Sequence, residues 1–156
     1  MEIYSSIMSS LDEKDQKIIE LLTINSKLTS HKISKKTSIP ITTIHNRIKR
    51  LEKEGIIKKF SIELDKKKIG KHISAYILVT VNYPHEERKK FSQEDTARKI
   101  RAIDGVESVS IVTGETDIIL KLSIESIEKL NELITKKLRN IDGVESTRTL
   151  VILNEF

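Results

Sequence analysis

The sequence predicts an α+β protein in two parts, a helical first part and a mixed sheet-and-helix second part. Three observations carry this. Residues 1–60 hold 12 basic and 7 acidic side chains, while residues 61–156 hold 16 of each, so charge divides the chain near residue 60. Apolar residues of the first part recur at helical spacing, and those of the second alternate at strand spacing between helical stretches. The hexapeptide Ile103-Asp104-Gly105-Val106-Glu107-Ser108 recurs letter for letter as Ile141-Asp142-Gly143-Val144-Glu145-Ser146, which marks an internal repeat of the second part.

A chain of 156 residues, 37% hydrophobic and 33% charged, suits two small domains and is too apolar for a disordered tail. No apolar run approaches the ~18–20 residues that span a bilayer. The first residues lack the basic and apolar regions of a signal peptide. Without cysteine there is no disulfide frame, thiolate nucleophile or Cys-ligated metal centre. These features predict a soluble, cytoplasmic protein.

Leu11–Leu22 reads as an amphipathic helix. Asp12 is its N-cap, acidic residues fill the first turn, and Ile18, Ile19 and Leu22 form the buried stripe. Asn25-Ser26-Lys27 breaks it. Thr29 or Ser30 caps a second, short helix that buries Ile33, and Thr37-Ser38-Ile39-Pro40 is a turn. A third helix runs to Gly55 with Ile41, Ile44, Ile48 and Leu51 on one face. Its other face shows Thr42, Thr43, His45, Asn46, Arg47, Lys49, Arg50 and Lys53. A short helix, a tight turn and a longer basic helix make the helix-turn-helix pattern. Residues 27–60 carry ten Lys/Arg against two Glu, an electrostatic footprint for double-stranded DNA. The candidate DNA-binding residues are Ser30, His31, Thr42, Thr43, His45, Asn46, Arg47, Lys49 and Arg50. Each offers hydrogen bonds or positive charge at the reach that base edges and phosphates require.

Ile56–Asp65 partly alternates and predicts a strand, and Asp65 caps a single turn ending at Gly70. The expected domain boundaries are 1–60 for the helical domain, 61–71 for the linker and 72–156 for the second domain.

The second part reads as strand 72–83, helix 92–103, strand 106–112, strand 117–123, helix 126–140 and strand 144–153. Ile127, Leu130, Ile134 and Leu138 form the core stripe of its second helix, and Ile73, Ala75, Ile77, Val79 and Val81 alternate along its first strand. Asp-Gly supplies the positive-φ turn that releases each helix into a strand. The order βαββαβ is that of the ferredoxin-like fold, an antiparallel sheet with both helices on one face. Tyr76 and Leu78, on the second side of the first strand, and Val109 and Ile111, on one side of the next, leave both faces partly apolar, which predicts a homodimer. The charged stretch 82–95, with His85-Glu86-Glu87-Arg88-Lys89-Lys90, reads as a helix extension or a loop.

This order of parts resembles the Lrp/AsnC (feast/famine) family of transcription regulators of archaea and bacteria. The resemblance runs from Leu11 to Leu153. It is carried by Leu11-Asp12-x-x-Asp15-x-x-Ile18-Ile19-x-x-Leu22, by Ile44-x-x-Arg47-Ile48-x-Arg50-Leu51-Glu52-x-x-Gly55-Ile56-Ile57, by Leu64-Asp65-x-x-x-Ile69-Gly70, by Val112-Thr113-Gly114-x-x-Asp117, and by Gly143-Val144-x-Ser146-Thr147-x-Thr149-Leu150. Ser38 stands where the family's turn usually carries glycine, and Pro40 stands at its usual serine cap. Thr116 stands where an aromatic residue is frequent.

The resemblance implies a sequence-specific regulator that binds partly palindromic promoter DNA and assembles from dimers, often into octamers. It also implies a response to an amino acid or related small metabolite at interfaces of the C-terminal domain. Gly114, Thr116, Asp117 and Thr147 then fall at the effector site. Gly114 would admit a ligand to backbone N–H groups and Asp117 would hold an α-ammonium; a plain hairpin turn uses the same residues. No cofactor, metal site or catalytic residue is expected. Two other readings stand beside this one. One is an architectural DNA binder of low sequence preference. The other is an enzyme like the sirohaem decarboxylases, which share the fold, although His31, His45, His72 and His85 form no cluster in the second half.

Overall fold

The computed structural model describes residues 11–82 and 92–155. The expectations for the charged run 83–91 and for the strand end at residue 83 lie outside them. The chain divides into two compact units, Met1–Glu63 and Leu64–Phe156.

The first unit contains α1 (Glu13–Ile24), α2 (Ser30–Thr37) and α3 (Ile41–Lys53). Asp12 starts α1 by accepting the N–H groups of Lys14 and Asp15 at 2.9 and 3.0 Å, and the Asp15 carboxylate accepts the Asp12 N–H at 3.2 Å. This reciprocal capping box satisfies N–H groups that no helical carbonyl can reach. Thr29 Oγ1 caps α2 by accepting the Lys32 N–H at 3.3 Å. Ser38 then reverses the chain in the left-handed region, with φ 59° and ψ 16°. α3 begins directly after Pro40 without a side-chain cap. The N–H that proline lacks would be one of the unpartnered groups there. Gly55 ends the helix at φ 71°.

Ile18, Leu22, Ile33, Ile39 and Ile44 form the core of this unit, with Leu21, Leu28, Ile48 and Ile57 packed against it. Ile41, expected on the buried stripe of α3, is 45% exposed, because it sits on the opening turn ahead of the packed residues. The strand expected over 56–65 does not form. Within the described residues this stretch has no ladder partner, and an isolated strand cannot satisfy its backbone. Its contacts are local: the Ile57 N–H donates to Leu51 O at 3.0 Å and Ser26 Oγ donates to Ser61 O at 3.1 Å.

The second unit opens with a single turn, Lys67–Ile69, closed by Gly70 at φ 80°. It continues through β1 (Ile73–Val81), α4 (Gln93–Arg101), β2 (Val106–Ile111), β3 (Ile118–Ile124), α5 (Ile127–Glu132) and β4 (Val144–Val151). The sheet order is β2-β3-β1-β4 with every pair antiparallel, which is the ferredoxin-like arrangement. The two copies of the repeated hexapeptide make the same turn. Gly105 and Gly143 have φ 89° and 91°, and Val106 and Val144 each donate to the isoleucine three residues earlier at 3.1 Å.

Ala75, Ile77, Val79 and Val81 of β1 and Ile118, Leu120 and Leu122 of β3 face the helices in a core completed by Ile100, Leu130, Leu133 and Leu138. The stripe of α5 differs from expectation. Ile127 is 52% exposed, while Leu133 is buried. Ile127 is the first residue of α5, and beyond the helix the pitch changes: Leu133–Lys137 forms a π-helical turn and Leu138–Asn140 a 3₁₀ turn. A π turn spaces equivalent positions five apart, so Leu133 and Leu138 share the core face.

Tyr76 and Leu78 lie on the opposite, open face. Tyr76 is registered between Lys121 of β3 and Leu150 of β4, and Leu78 between Ile119 and Arg148. The Lys121 ammonium stands 5.6 Å from the centre of the Tyr76 ring and pairs with Glu155. Val109 and Ile111 of β2 are registered with Leu120 and Ile118 and lie on the helix-covered side. Among the described residues no helix is long and apolar enough to cross a membrane.

Candidate nucleic-acid interface and effector loop

α3 presents a polar face at positions i, i+3, i+4 and i+7. Thr42, His45, Asn46 and Lys49 are all exposed there. This follows from the burial of Ile44 and Leu51, since helical geometry turns residues 42, 45, 46 and 49 outward once that stripe is anchored. The four side chains supply a hydroxyl, an imidazole, an amide and an ammonium, with no carboxylate among them. Thr43 is half-buried at the flank. Ser30, half-buried, is the first residue of α2 and exposed His31 follows it. Lys32, Lys35 and Lys36 are exposed on the same helix.

The two arginines of α3 are placed differently from the sequence expectation. Arg47 turns to α1, where its Nη1 donates to Asp12 Oδ1 at 2.7 Å and to Asp15 Oδ1 at 2.9 Å. Arg50 Nη2 donates to Asp15 Oδ2 at 2.5 Å, and its Nε lies 3.7 Å from Glu54. The Asp15 side chain is fully buried, and that of Arg47 is 20% exposed. The Asp15 and Asp12 carboxylates raise the Arg47 pKa above its ordinary value. The Asp15 backbone N–H, and then Arg47, hold the Asp12 carboxyl below the usual carboxylate range against a partial desolvation. Both guanidiniums thus donate to carboxylates; Arg47 is largely covered, while Arg50 keeps 42% of its side chain exposed.

In the sequence Asp15 reads only as a first-turn acid. The signal was its spacing: residues 15, 18 and 22 lie on one helical face, so a carboxylate occupies a position of the buried stripe. Such a group needs cationic partners, and Arg47 and Arg50, spaced i, i+3 on α3, are among the long cations that neighbouring helices offer.

In the second unit, the β2–β3 loop contains Gly114 at φ 118°. A Cβ there would meet nothing within 4 Å, so backbone conformation and not space calls for glycine. The Val112 N–H donates to Asp117 O at 2.8 Å and closes the hairpin. Asp117 ties this hairpin to β1. Its N–H donates to Val79 O at 3.1 Å, and its Oδ2 accepts the Val81 N–H at 2.9 Å. Val81 lies at the register shift of β1 against β4. Thr116 and Asp117 are half-buried. Thr147 is registered with Val79 on the other side of β1, and Arg139 Nε donates to its Oγ1 at 3.4 Å. Asp117 and Thr147 thus flank the same residue, separated by two strand spacings, roughly 10 Å.

Two cavities of this unit, of about 570 and 330 Å3, lie elsewhere, sharing Asp104 and Lys137 in their walls; neither is lined by the loop residues or Thr147. Among the described residues there is no group of three or more side chains able to hold a metal ion.

A family model for a winged helix-turn-helix DNA-binding domain matches residues 11–58, and one for an Lrp/AsnC ligand-binding domain matches residues 74–156. An uncharacterized HTH-type transcriptional regulator of Pyrococcus furiosus is 39% identical over 141 residues, covering 90% of this chain and 91% of that protein. The HTH-type transcriptional regulator FL11 of the same organism is 35% identical over 143 residues, covering 92% and 89%. Among solved structures, a Neisseria meningitidis transcriptional regulator in complex with L-Met is 26% identical, with TM-score 0.83 and coverage of 93% and 91%. Escherichia coli AsnC is 25% identical, with TM-score 0.78 and coverage of 93% of each chain.

Proposed function

The chain belongs to the Lrp/AsnC family of DNA-binding transcription regulators, and on that premise we propose that it binds specific promoter sites under the control of an amino acid or related small metabolite. The observation that carries the DNA-reading part is the exposed face of Thr42, His45, Asn46 and Lys49 on α3. Hydroxyl, imidazole and amide groups suit base edges in the major groove, and Lys49 suits a phosphate. Ser30, His31 and Thr43, at the α2 start and the α3 flank, approach the backbone of the same duplex. Domains of 1–60 and 72–156 joined by a linker at 61–71 accord with this division of labour.

In the second domain, Gly114, Thr116, Asp117 and Thr147 form the effector end of the sheet. The two cavities of this domain are lined by other residues, which supports a ligand held at an interface between copies. The open sheet face with Tyr76, Leu78, Ile119 and Leu150 supports a homodimer, since pairing would cover apolar surface. Assembly beyond the dimer, to an octamer, follows from the family resemblance. The bound L-Met of the Neisseria regulator supports an amino acid as the effector class. Such a regulator acts in the cytoplasm, has no catalytic residues and needs no cofactor.

The test is to select bound fragments from random duplex DNA with the full chain, and to screen L-amino acids by thermal shift. A shared, partly palindromic motif with half-sites about one helical turn apart is expected, together with a rise in melting temperature for one ligand class. Fragments without a common motif, bound with an affinity set by salt alone, would support an architectural binder instead.

A further inference from the structure

We propose that Asp15 is a positioning residue for DNA recognition: it withdraws Arg47 from the DNA-facing set and uses Arg47 and Arg50 to fix the orientation of α3. The proposal rests on the reading of α3 as the recognition helix. Three observations carry it.

The Asp15 carboxylate is fully buried at a core position of α1. It meets Arg47 at 2.9 Å and Arg50 at 2.5 Å, and also caps the Asp12 N–H. Both of its oxygens are occupied from α3, one by each arginine. The remaining contacts of the first unit's core are aliphatic and hence non-directional, so they tolerate rotation and sliding of α3. Two planar guanidiniums on one carboxylate do not.

A stability role alone would not need these groups. Replacing a buried ion pair by apolar residues is often neutral or stabilising, and the best attested use of such a cluster is to select one geometry. Here that geometry sets which side chains of α3 meet the groove. Arg47, one of the candidate base readers in the sequence, is the strut, and Asn46 beside it is the reader.

The experiment measures the full chain on its selected duplex and on random duplex across a salt series. Asp15→Asn keeps the shape but weakens the clamp. The expected result is at least a tenfold fall in preference for the selected site, spread over every base pair that α3 reads. Freed arginines should also steepen the salt slope on random duplex by about 0.9 for each new phosphate contact. Destabilisation alone lowers both affinities together and leaves this slope and ratio of the folded protein unchanged, and that outcome overturns the proposal. Arg47→Lys serves if Asp15→Asn fails to fold, because it keeps the cation but replaces the planar guanidinium, whose Nη1 bridges Asp12 and Asp15, by an ammonium on a shorter, flexible stem. A loss of preference spread over the site supports the clamp. A loss confined to one base pair shows that Arg47 reads that base and overturns it, as does unchanged preference. A wild-type chain that selects no shared site refutes the regulator reading as well, which separates the two failures.

Discussion

Ser38→Gly should stabilise the helical unit. Ser38 ends α2 at φ 59° and ψ 16°, as the one described non-glycine residue of positive φ. There a Cβ crowds the following carbonyl at a cost of about 1–2 kcal/mol. The residue is exposed, and its hydroxyl makes no hydrogen bond among the described residues. The contact that matters, its N–H donating to Ser34 O at 2.8 Å, survives in glycine. Against the relief stands the extra freedom of glycine in the unfolded chain, about 0.4–1 kcal/mol. The net is about 0.5–1 kcal/mol of added stability. For a unit this small that raises its melting temperature by roughly 2–8 °C. Scanning calorimetry reads the change directly, since a two-unit chain can show separate transitions. Ser38→Ala is the control: it removes the hydroxyl but keeps the Cβ, and should leave the transition nearly unmoved. If Ser38→Gly lowered the melting temperature, or if Ser38→Ala raised it as much, backbone strain at this turn would be the wrong account.

Leu138→Ala should cost about 2–5 kcal/mol, because the side chain is fully buried, whereas Ile127→Ala, at 52% exposure, should cost under about 1 kcal/mol; equal losses in urea melts would contradict this placement of the two side chains. Asp117→Ala should destabilise the second unit by about 1–3 kcal/mol, since the Val81 N–H loses its acceptor, while Asp117→Asn keeps an amide oxygen there and should lose less. A metabolite response that survives Asp117→Asn with DNA binding intact would assign Asp117 to the fold and not to the ligand. Stability should fall in acid. The carboxyls of Asp12, Glu107, Glu128, Glu132 and Glu155 are held below their ordinary values. Their contribution is present above the unfolded range near pH ~4 and lost as pH drops through the folded values. Lys121, raised by Glu155, adds stability that is complete below about pH 10 and lost above. Melting curves between pH 2 and 11 would expose either sign error.

Much of the fold was legible because it is written in short-range chemistry. Asp12 and Thr29 cap their helices. The repeated Ile-Asp-Gly turns and the alternation along β1 report one residue's backbone preference or one face's burial, and both are readable within a few positions. Where the sequence misled, the missing information was non-local. Ile56–Asp65 alternates like a strand, but a strand exists only with a partner. The stripe of α5 assumed one pitch, and the core of the second unit selected a π turn that a 3.6-residue period cannot anticipate.

The candidate site divides the same way. That the first part is basic, helical and carboxylate-poor on one face was determined by the sequence alone, because charge and periodicity survive without coordinates. Which cations face outward was decided only by the tertiary structure. Arg47 and Arg50 sit among the basic residues of α3 in sequence, yet they end on Asp15, more than thirty residues away. The reason is energetic: a carboxylate placed on a buried stripe cannot stay unpaired, and only the packing of α1 on α3 determines which arginines answer it.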